Sequence, residues 1–315
     1  MHFNVDDRTI LLVRHGSHAY GLNIETSDED FKGICIKPKA CYLGFTQRFE
    51  QHEKMSSKNE GVDSVVYSLD KFAALAADCN PNIIEVLHCD EGDVIKIDGF
   101  GEQLRGIAHD FISKKARFTF SGYAHAQLKR IKTHRSWLLD PPTTPPSRAS
   151  YGLSEGMKVS QSELGALEAS INSGIEIEMP KDVMVLFTRE KQYQADKTRW
   201  DQFQNWKKSR NPARAELEEK YGYDTKHGMH LLRLMRMCKE ILSTGKVVVK
   251  RPDRDELLAV RSGQVSYDAL IDEAERLDAE CDALYKTSTL RKEPDRVHLD
   301  GVVVDMTERY LRLYG

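Results

Sequence analysis

Several features that would tie this chain to a membrane, a disulfide framework or a zinc module are missing. No apolar run approaches the roughly 18 residues of a membrane span, and the opening MHFNVDDRTI lacks the basic-then-apolar pattern of a secretory signal. The six cysteines (Cys35, Cys41, Cys79, Cys89, Cys238 and Cys281) include no C-x-x-C pair and no zinc spacing. They read instead as small buried hydrophobes in a reducing compartment. Neither charge dominates: 46 basic against 49 acidic residues leave a net charge of −3. A polyanion would therefore have to meet a local basic patch. STGKVVVK carries a Gly-Lys pair, but Glu240 stands where a P-loop needs its first glycine. Gly245 reads better as a helix C-cap. These absences describe a cytosolic protein with no membrane partner.

What is present is a soluble globular composition, 40% hydrophobic and 30% charged over 315 residues, enough for two domains. TILLVRH (9 to 15), FKGICI (31 to 36) and VDSVVYS (62 to 68) have strand length and strand composition. The polar, aperiodic stretch from 46 to 61 reads as an exposed loop. SLDKFAALAADC is amphipathic at helical spacing, and Asn80-Pro81 starts another helix with cap first and proline at the first turn. Beyond about residue 100 the texture turns helical, over 101–117, 121–139, 158–173, 181–208, 226–243, 253–261 and 267–285. DPPTTPPSRAS (140 to 150) interrupts it as a loop. No internal repeat is evident. The expected fold class is α+β: a short mixed sheet with helices over residues 1–100, then a larger all-helical domain over 101–315.

HGSHAYGLNIETSDEDFKGICI holds the chemistry. In a strand, residues i and i+2 face one side, so Asp28 and Asp30 would project together. Two carboxylates brought close repel one another unless a cation lies between them. Hard divalent ions such as Mg²⁺ take oxygen ligands and share them with substrate phosphates. Taken alone, SDED reads first as an acidic turn. Gly16-Ser17 upstream adds weight to the other reading, because glycine after a strand lets backbone N–H groups approach a phosphate, and a helix starting at Ser17 or His18 would aim its positive end there.

Gly16-Ser17 followed by Asp28-Glu29-Asp30 is similar to the signature of the DNA-polymerase-β-type nucleotidyltransferases. The wording GSHAYGLNIETSDEDFKGI resembles the RlaP-type branch of that superfamily. So do DSVVYSLDKFAALAADCNPNIIEVLH (63 to 88), the FTFSGYAHAQL wording, and GYDTKHGMHLLRLMRMCKEILSTGKVVVKRPDRDELLAVRSGQ (222 to 264). The resemblance implies a polymerase-β-like catalytic domain and a third carboxylate on a neighbouring strand. Asp63, which opens VDSVVYS, is the choice, with Glu50 and Glu53 as rivals in the presumed loop. By the same resemblance Asp28, Asp30 and Asp63 would ligate two Mg²⁺ (or Mn²⁺) ions. Asp63 would help activate the attacking hydroxyl, and Gly16 and Ser17 would hold the β- and γ-phosphates of an NTP.

Two basic features lie in the helical half. From Phe111 to Leu139 stand seven cations (Lys114, Lys115, Arg117, Lys129, Arg130, Lys132 and Arg135), with Phe118, Phe120 and Tyr123 among them and no acid before Asp140. Such a strip suits a triphosphate or a nucleic-acid backbone with base stacking, Lys129, Arg130 and Lys132 being the candidate contacts. It reads equally as a solvated basic helix with core aromatics. In KHGMHLLRLMRMCKEIL, Leu231, Leu234, Met235, Cys238, Ile241 and Leu242 share one helical face, with His227 among them as a core histidine. Lys226, His230 and Arg233 form a separate stripe, read as cations for a leaving pyrophosphate. The H-x-x-H spacing of His227 and His230 has no further ligand to make a zinc site.

The function this implies is metal-dependent transfer of NMP from an NTP to an acceptor hydroxyl, with release of pyrophosphate. An RNA end is the first reading of the acceptor, with a protein side chain or small molecule as the others. A non-catalytic nucleotide- or RNA-binding module on the same fold is the alternative. A metal phosphohydrolase built on His88, His109-Asp110 and Asp140 is the third reading, resting on a lone His-Asp dipeptide.

Overall fold

The structure is a computed structural model and describes residues 3–54, 62–156, 159–173 and 180–314. Among the described residues, β1 (Thr9–His15), β2 (Glu29–Cys35), β3 (Gln51–Lys54), β4 (Val62–Ser68) and β5 (Val94–Ile97) form one mixed sheet in the order β3-β4-β2-β1-β5. β2 runs antiparallel to β1 and parallel to β4, and the edge strands β3 and β5 pair antiparallel. The parallel pair needs a crossover, and the chain leaves β2 through α2 (Lys39–Leu43) and β3 before returning as β4.

The central strands are the apolar runs. Ile10, Leu11 and Val13 of β1 and Ile34 and Cys35 of β2 are fully buried. After β1 comes the one-turn α1 (Gly16–Ala19); after β4 come α3 (Leu69–Ala77), α4 (Pro81–Leu87) and, beyond β5, α5 (Gly99–Gly106). The α4 start is as expected: the Asn80 side chain accepts from the Asn82 N–H, and Pro81 occupies the first turn.

The rest is helical: α6 (Ala116–Leu139), α7 (Gln161–Asn172), α8 (Lys181–Ser209), α9 (Pro212–Tyr221), α10 (Thr225–Thr244), α11 (Arg254–Arg261), α12 (Tyr267–Thr287) and α13 (Arg296–Tyr314). The protein is thus α+β, a mixed sheet followed by a larger helical region. α10 packs on α11 and α12 and buries Leu231, Leu234, Met235, Cys238, Ile241 and Leu242 together, as its pattern predicts. Gly245 ends it with φ +71° and an N–H donated to Ile241 O. All six cysteines are free and buried. No helix among the described residues is long and apolar enough to cross a membrane.

Three expectations differ. The polar stretch from 46 to 61 contains β3, which pairs with β4 from Gln51↔Tyr67 to Lys54↔Ser64. QHEK is polar because it is an edge strand with exposed side chains, and residues 55–61 lie outside the described residues. The single helix expected over 101–117 is broken: α5 stops at Gly106, a 3₁₀ turn follows, and α6 opens only at Ala116. Ser113 makes the break, its hydroxyl accepting from Lys115 N and its carbonyl from Ala116 N. The sequence pattern gives no signal for α2, β5, α9 or α13, and of the helix expected over 158–173 the first residue lies outside the described residues.

By packing, the chain divides into two compact units, Met1–Ile131 with Thr225–Gly315, and Lys132–Asp224. The division expected at residue 100 separates sheet from helices. Packing groups by contact instead, so α10 to α13 fall in one unit with the sheet. The second unit holds an aromatic cluster of Trp137, Phe203 and Trp206 and a buried bidentate pair, Arg148 with Glu190 at 2.8 and 2.9 Å.

Candidate functional site

Register explains the acidic row. Asp30 is paired across β2 with His15 on β1 and with Asp63 on β4. Residues in one cross-strand row project to the same face, so Asp30 and Asp63 stand side by side, with Asp28 two residues before Asp30 at the mouth of the strand. All three line a cavity of about 890 Å³ within the first unit, a size suited to a nucleotide-sized ligand.

The Asp30 carboxyl is held above its usual range, first by burial and then by the negative charges of Asp63 and Asp28; Lys226 and Lys32 pull the other way. The upward push is the one expected of a half-buried carboxyl beside like charges. Oxygen-only, acidic and partly exposed to the cavity, this donor set fits a hard divalent ion such as Mg²⁺. Among the described residues, the group of three ligand types whose atoms all lie within 4.8 Å is elsewhere, His134, Glu218 and Asp224 in the second unit. The three aspartates are more widely spread than that.

Gly16 is fixed by Asp30. Its φ is +66°, and a Cβ there would collide with Asp30 Oδ2. Any side chain would thus displace the carboxylate as well as strain the backbone. The helix expected to start at Ser17 or His18 starts at Gly16 and lasts one turn. Gly21, at φ +68°, ends it, and Leu22 N donates back to Ser17 O at 2.8 Å. A single turn sums few peptide dipoles, so its amides rather than a macrodipole are what it offers an anion.

The turn is clamped from the far end of the sequence. Three successive carbonyls, Tyr20, Gly21 and Leu22, accept from Arg251 N (3.0 Å), Arg254 Nε (2.6 Å) and Arg261 Nη1 (2.7 Å). Beneath it lies a charged hub. Glu85, on α4 and 1% exposed, accepts from the Tyr20 hydroxyl at 2.5 Å and from Arg233 Nη1, and His15 Nε2 lies 3.2 Å away. Burial alone would raise the Glu85 carboxyl, but Arg233, His15 and Tyr20 outweigh it and hold it well below its ordinary value. Arg233 also lies over the Tyr20 ring at 3.8 Å.

Lys226, His230 and Arg233 all line the cavity, but they are not three equivalent cations. Lys226 lies close enough to Asp30 to act on its carboxyl. His230 is pushed down to about 3 by burial and by its cationic neighbours Arg233 and Lys226, so it is a neutral hydrogen-bonding group at neutral pH. Arg233 is engaged by Glu85 and buried, which makes it a support for the cavity wall. Arg261 and Lys32, which sequence reasoning passed over, line the cavity as well. Lys32 carries the signal that could have revealed it, since it stands at i+2 from Asp30 on the same strand face. Its amine donates to Asn82 O at 2.9 Å and is pushed down to about 8, chiefly by burial.

The basic strip disperses. Arg117 is buried against Asp278 and Asp282, and Lys115 pairs with Asp78 and Glu293. Arg135 donates to Gly222 O in the second unit. Of the three candidate nucleic-acid contacts, Arg130 lines the cavity with Phe118 and Tyr123, whereas Lys129 and Lys132 are exposed and absent from its lining. Glu50 and Glu53 do not line it either; Glu50 pairs with Lys71.

Residues 2–139 match the family described as RlaP, RNA repair pathway DNA polymerase beta family, which bears out the RlaP-type resemblance of the motifs over that span. An uncharacterized 38.9 kDa protein from the nrdC-mobD intergenic region of Enterobacteria phage T4 is 34% identical over 96 residues. That alignment covers 29% of this chain and 29% of the phage protein. A crystal structure of a nucleotidyltransferase-like protein from Exiguobacterium sibiricum aligns over 96% of this chain and 74% of that one, at 10% identity and a TM-score of 0.25, a likeness too loose to carry any argument.

Proposed function

We propose that this protein is a metal-dependent nucleotidyltransferase that moves NMP from an NTP to an acceptor hydroxyl. The observation that carries the reading is the row Asp28, Asp30 and Asp63 on the wall of a nucleotide-sized cavity, with Lys226 acting on it. Asp28, Asp30 and Asp63 would hold two divalent ions, Mg²⁺ or Mn²⁺. When bound, these supply Lewis-acid stabilisation of charge on the phosphate oxygens.

The amides and hydroxyl of Gly16-Ser17 bind the β- and γ-phosphates, their path set by the three clamped carbonyls behind them. Asp63 takes up the proton of the acceptor hydroxyl as its oxygen bonds to the α-phosphorus. The bond from that phosphorus to the bridging oxygen breaks, and pyrophosphate leaves toward the cationic wall of Lys226 and Arg261. His230, neutral, donates or accepts a hydrogen bond there without adding charge. An RNA end is the favoured acceptor, because the family match over residues 2–139 carries RNA repair in its description.

The test is incubation with each α-labelled NTP, Mg²⁺ or Mn²⁺, and total RNA or protein extract. Label on an acceptor with stoichiometric pyrophosphate supports the reading. Nucleotide-dependent thermal stabilisation without pyrophosphate would replace it with a binding module, and orthophosphate or nucleoside products with a hydrolase.

A further inference from the structure

The cavity has a second end that the phosphate chemistry does not use. Tyr123 on α6 is 38% exposed and lines the cavity, yet its ring is not free to swing. Its hydroxyl accepts from Asn80 Nδ2 at 3.1 Å, and Asn80 is the residue that caps α4. Beside the ring, a Cβ at Gly122 would meet nothing within 4 Å, so the approach to this part of the helix is open. One turn along, the half-buried Gln127 lines the same cavity, as does Arg130. The tether also sets where this end lies. Two residues past Asn80, Asn82 O accepts from Lys32, which stands next but one to Asp30. The first turn of α4 therefore joins the Tyr123 ring to the acidic row.

We infer that Tyr123 is the platform on which the base of the bound nucleotide stacks, and that Gln127 reads that base's edge. This rests on the nucleotidyltransferase reading above and adds the site that would choose among nucleotides. A partly exposed ring whose hydroxyl is tied back is pre-organised for stacking, so little ordering entropy is lost on binding. Stacking is tolerant of base identity, because every base has a π-face. Discrimination must come from a group that both donates and accepts, and a side-chain amide does both. Arg130, exposed at the outer end, is placed to meet the ribose or an adjoining phosphate.

The experiment measures dissociation constants by calorimetry, in Mg²⁺, for ATP, GTP, CTP, UTP, inorganic tripolyphosphate and a short single-stranded oligoribonucleotide. It compares the wild type with Tyr123→Ala, Tyr123→Phe and Gln127→Ala. Tyr123→Ala is expected to weaken NTP binding roughly tenfold or more and to leave tripolyphosphate unchanged. Tyr123→Phe keeps the ring but loses the tether and should fall between wild type and Tyr123→Ala. Gln127→Ala should narrow the spread among the four NTPs. Melting curves of the variants check that the fold is intact. Unchanged NTP affinity in Tyr123→Ala, equal weakening of tripolyphosphate, or a loss confined to the oligoribonucleotide each overturns the inference while leaving the catalytic reading intact. A wild type that binds neither NTP nor tripolyphosphate overturns both.

Discussion

Asp30 and Asp63 lie on different strands with a helix, a strand and a loop between them, yet the parallel register of β2 and β4 sets them side by side. Lys115 and Arg117 are nearly adjacent in the chain, yet they face different partners, Asp78 and Glu293 for the first, Asp278 and Asp282 for the second. The acidic row lines a cavity, whereas Lys115 and Arg117 are each paired with acids that face them from elsewhere in the first unit. Like charges that register brings together on a cavity wall repel one another, whereas charges dense along a helix are each met by whatever acid they happen to face.

The sharpest way to break this contrast is to neutralise the row. Asp28→Asn with Asp30→Asn should lower label transfer from α-labelled NTP by roughly 10³-fold, with no loss of melting temperature, because Asp30 is already strained toward its neutral form. Full activity in that variant would end the catalytic reading. Next in size is the hub. Glu85→Ala leaves Arg233 buried without its carboxylate and should cost about 3–5 kcal/mol in urea unfolding; a loss well under about 1 kcal/mol would mean the hub does not support the wall.

Gly16→Ala tests the coupling of turn and row. Backbone strain alone should cost about 1–2 kcal/mol, and the added Cβ must push Asp30 aside, so transfer should fall by more than stability does.

A smaller effect comes from the buried histidines. His88 and His230 are lowered from 6.5 to about 4 and about 3, in both cases mainly by burial. Between those values and 6.5 the unfolded chain binds more protons than the folded one, so stability is full above about 6.5 and falls as pH drops toward 4. Melting temperature against pH should show that slope, and His230→Gln should flatten part of it. Smallest of all, Lys129→Ala and Lys132→Ala should each change stability by no more than about 0.5 kcal/mol. A larger change would return these cations to the packed structure.

The parts of this molecule that could be read in advance are those fixed by local chemistry. β1 and β4 follow from short apolar runs, the α4 start from a cap and a proline, and the D-x-D pair from period two. What stayed hidden depends on partners distant in the chain. QHEK has no apolar face, so only its pairing with β4 makes it a strand. Arg233 looks like a surface cation until Glu85 is seen beside it, and His230 looks chargeable until burial and its cationic neighbours are seen. Tyr123 and Arg130 were noticed for their type, but their neighbour Gln127 gives no signal without the cavity.

The three arginine-held carbonyls behind Gly16-Ser17 carry a consequence for biosynthesis. Chains emerge from the ribosome amino end first, and early segments begin to organise before later ones exist. Here the turn from Tyr20 to Leu22 cannot be secured until Arg251, Arg254 and Arg261 have been translated. A nascent or prematurely terminated polypeptide would therefore carry Asp28, Asp30 and Asp63 and still lack the hydrogen bonds that fix the turn before them.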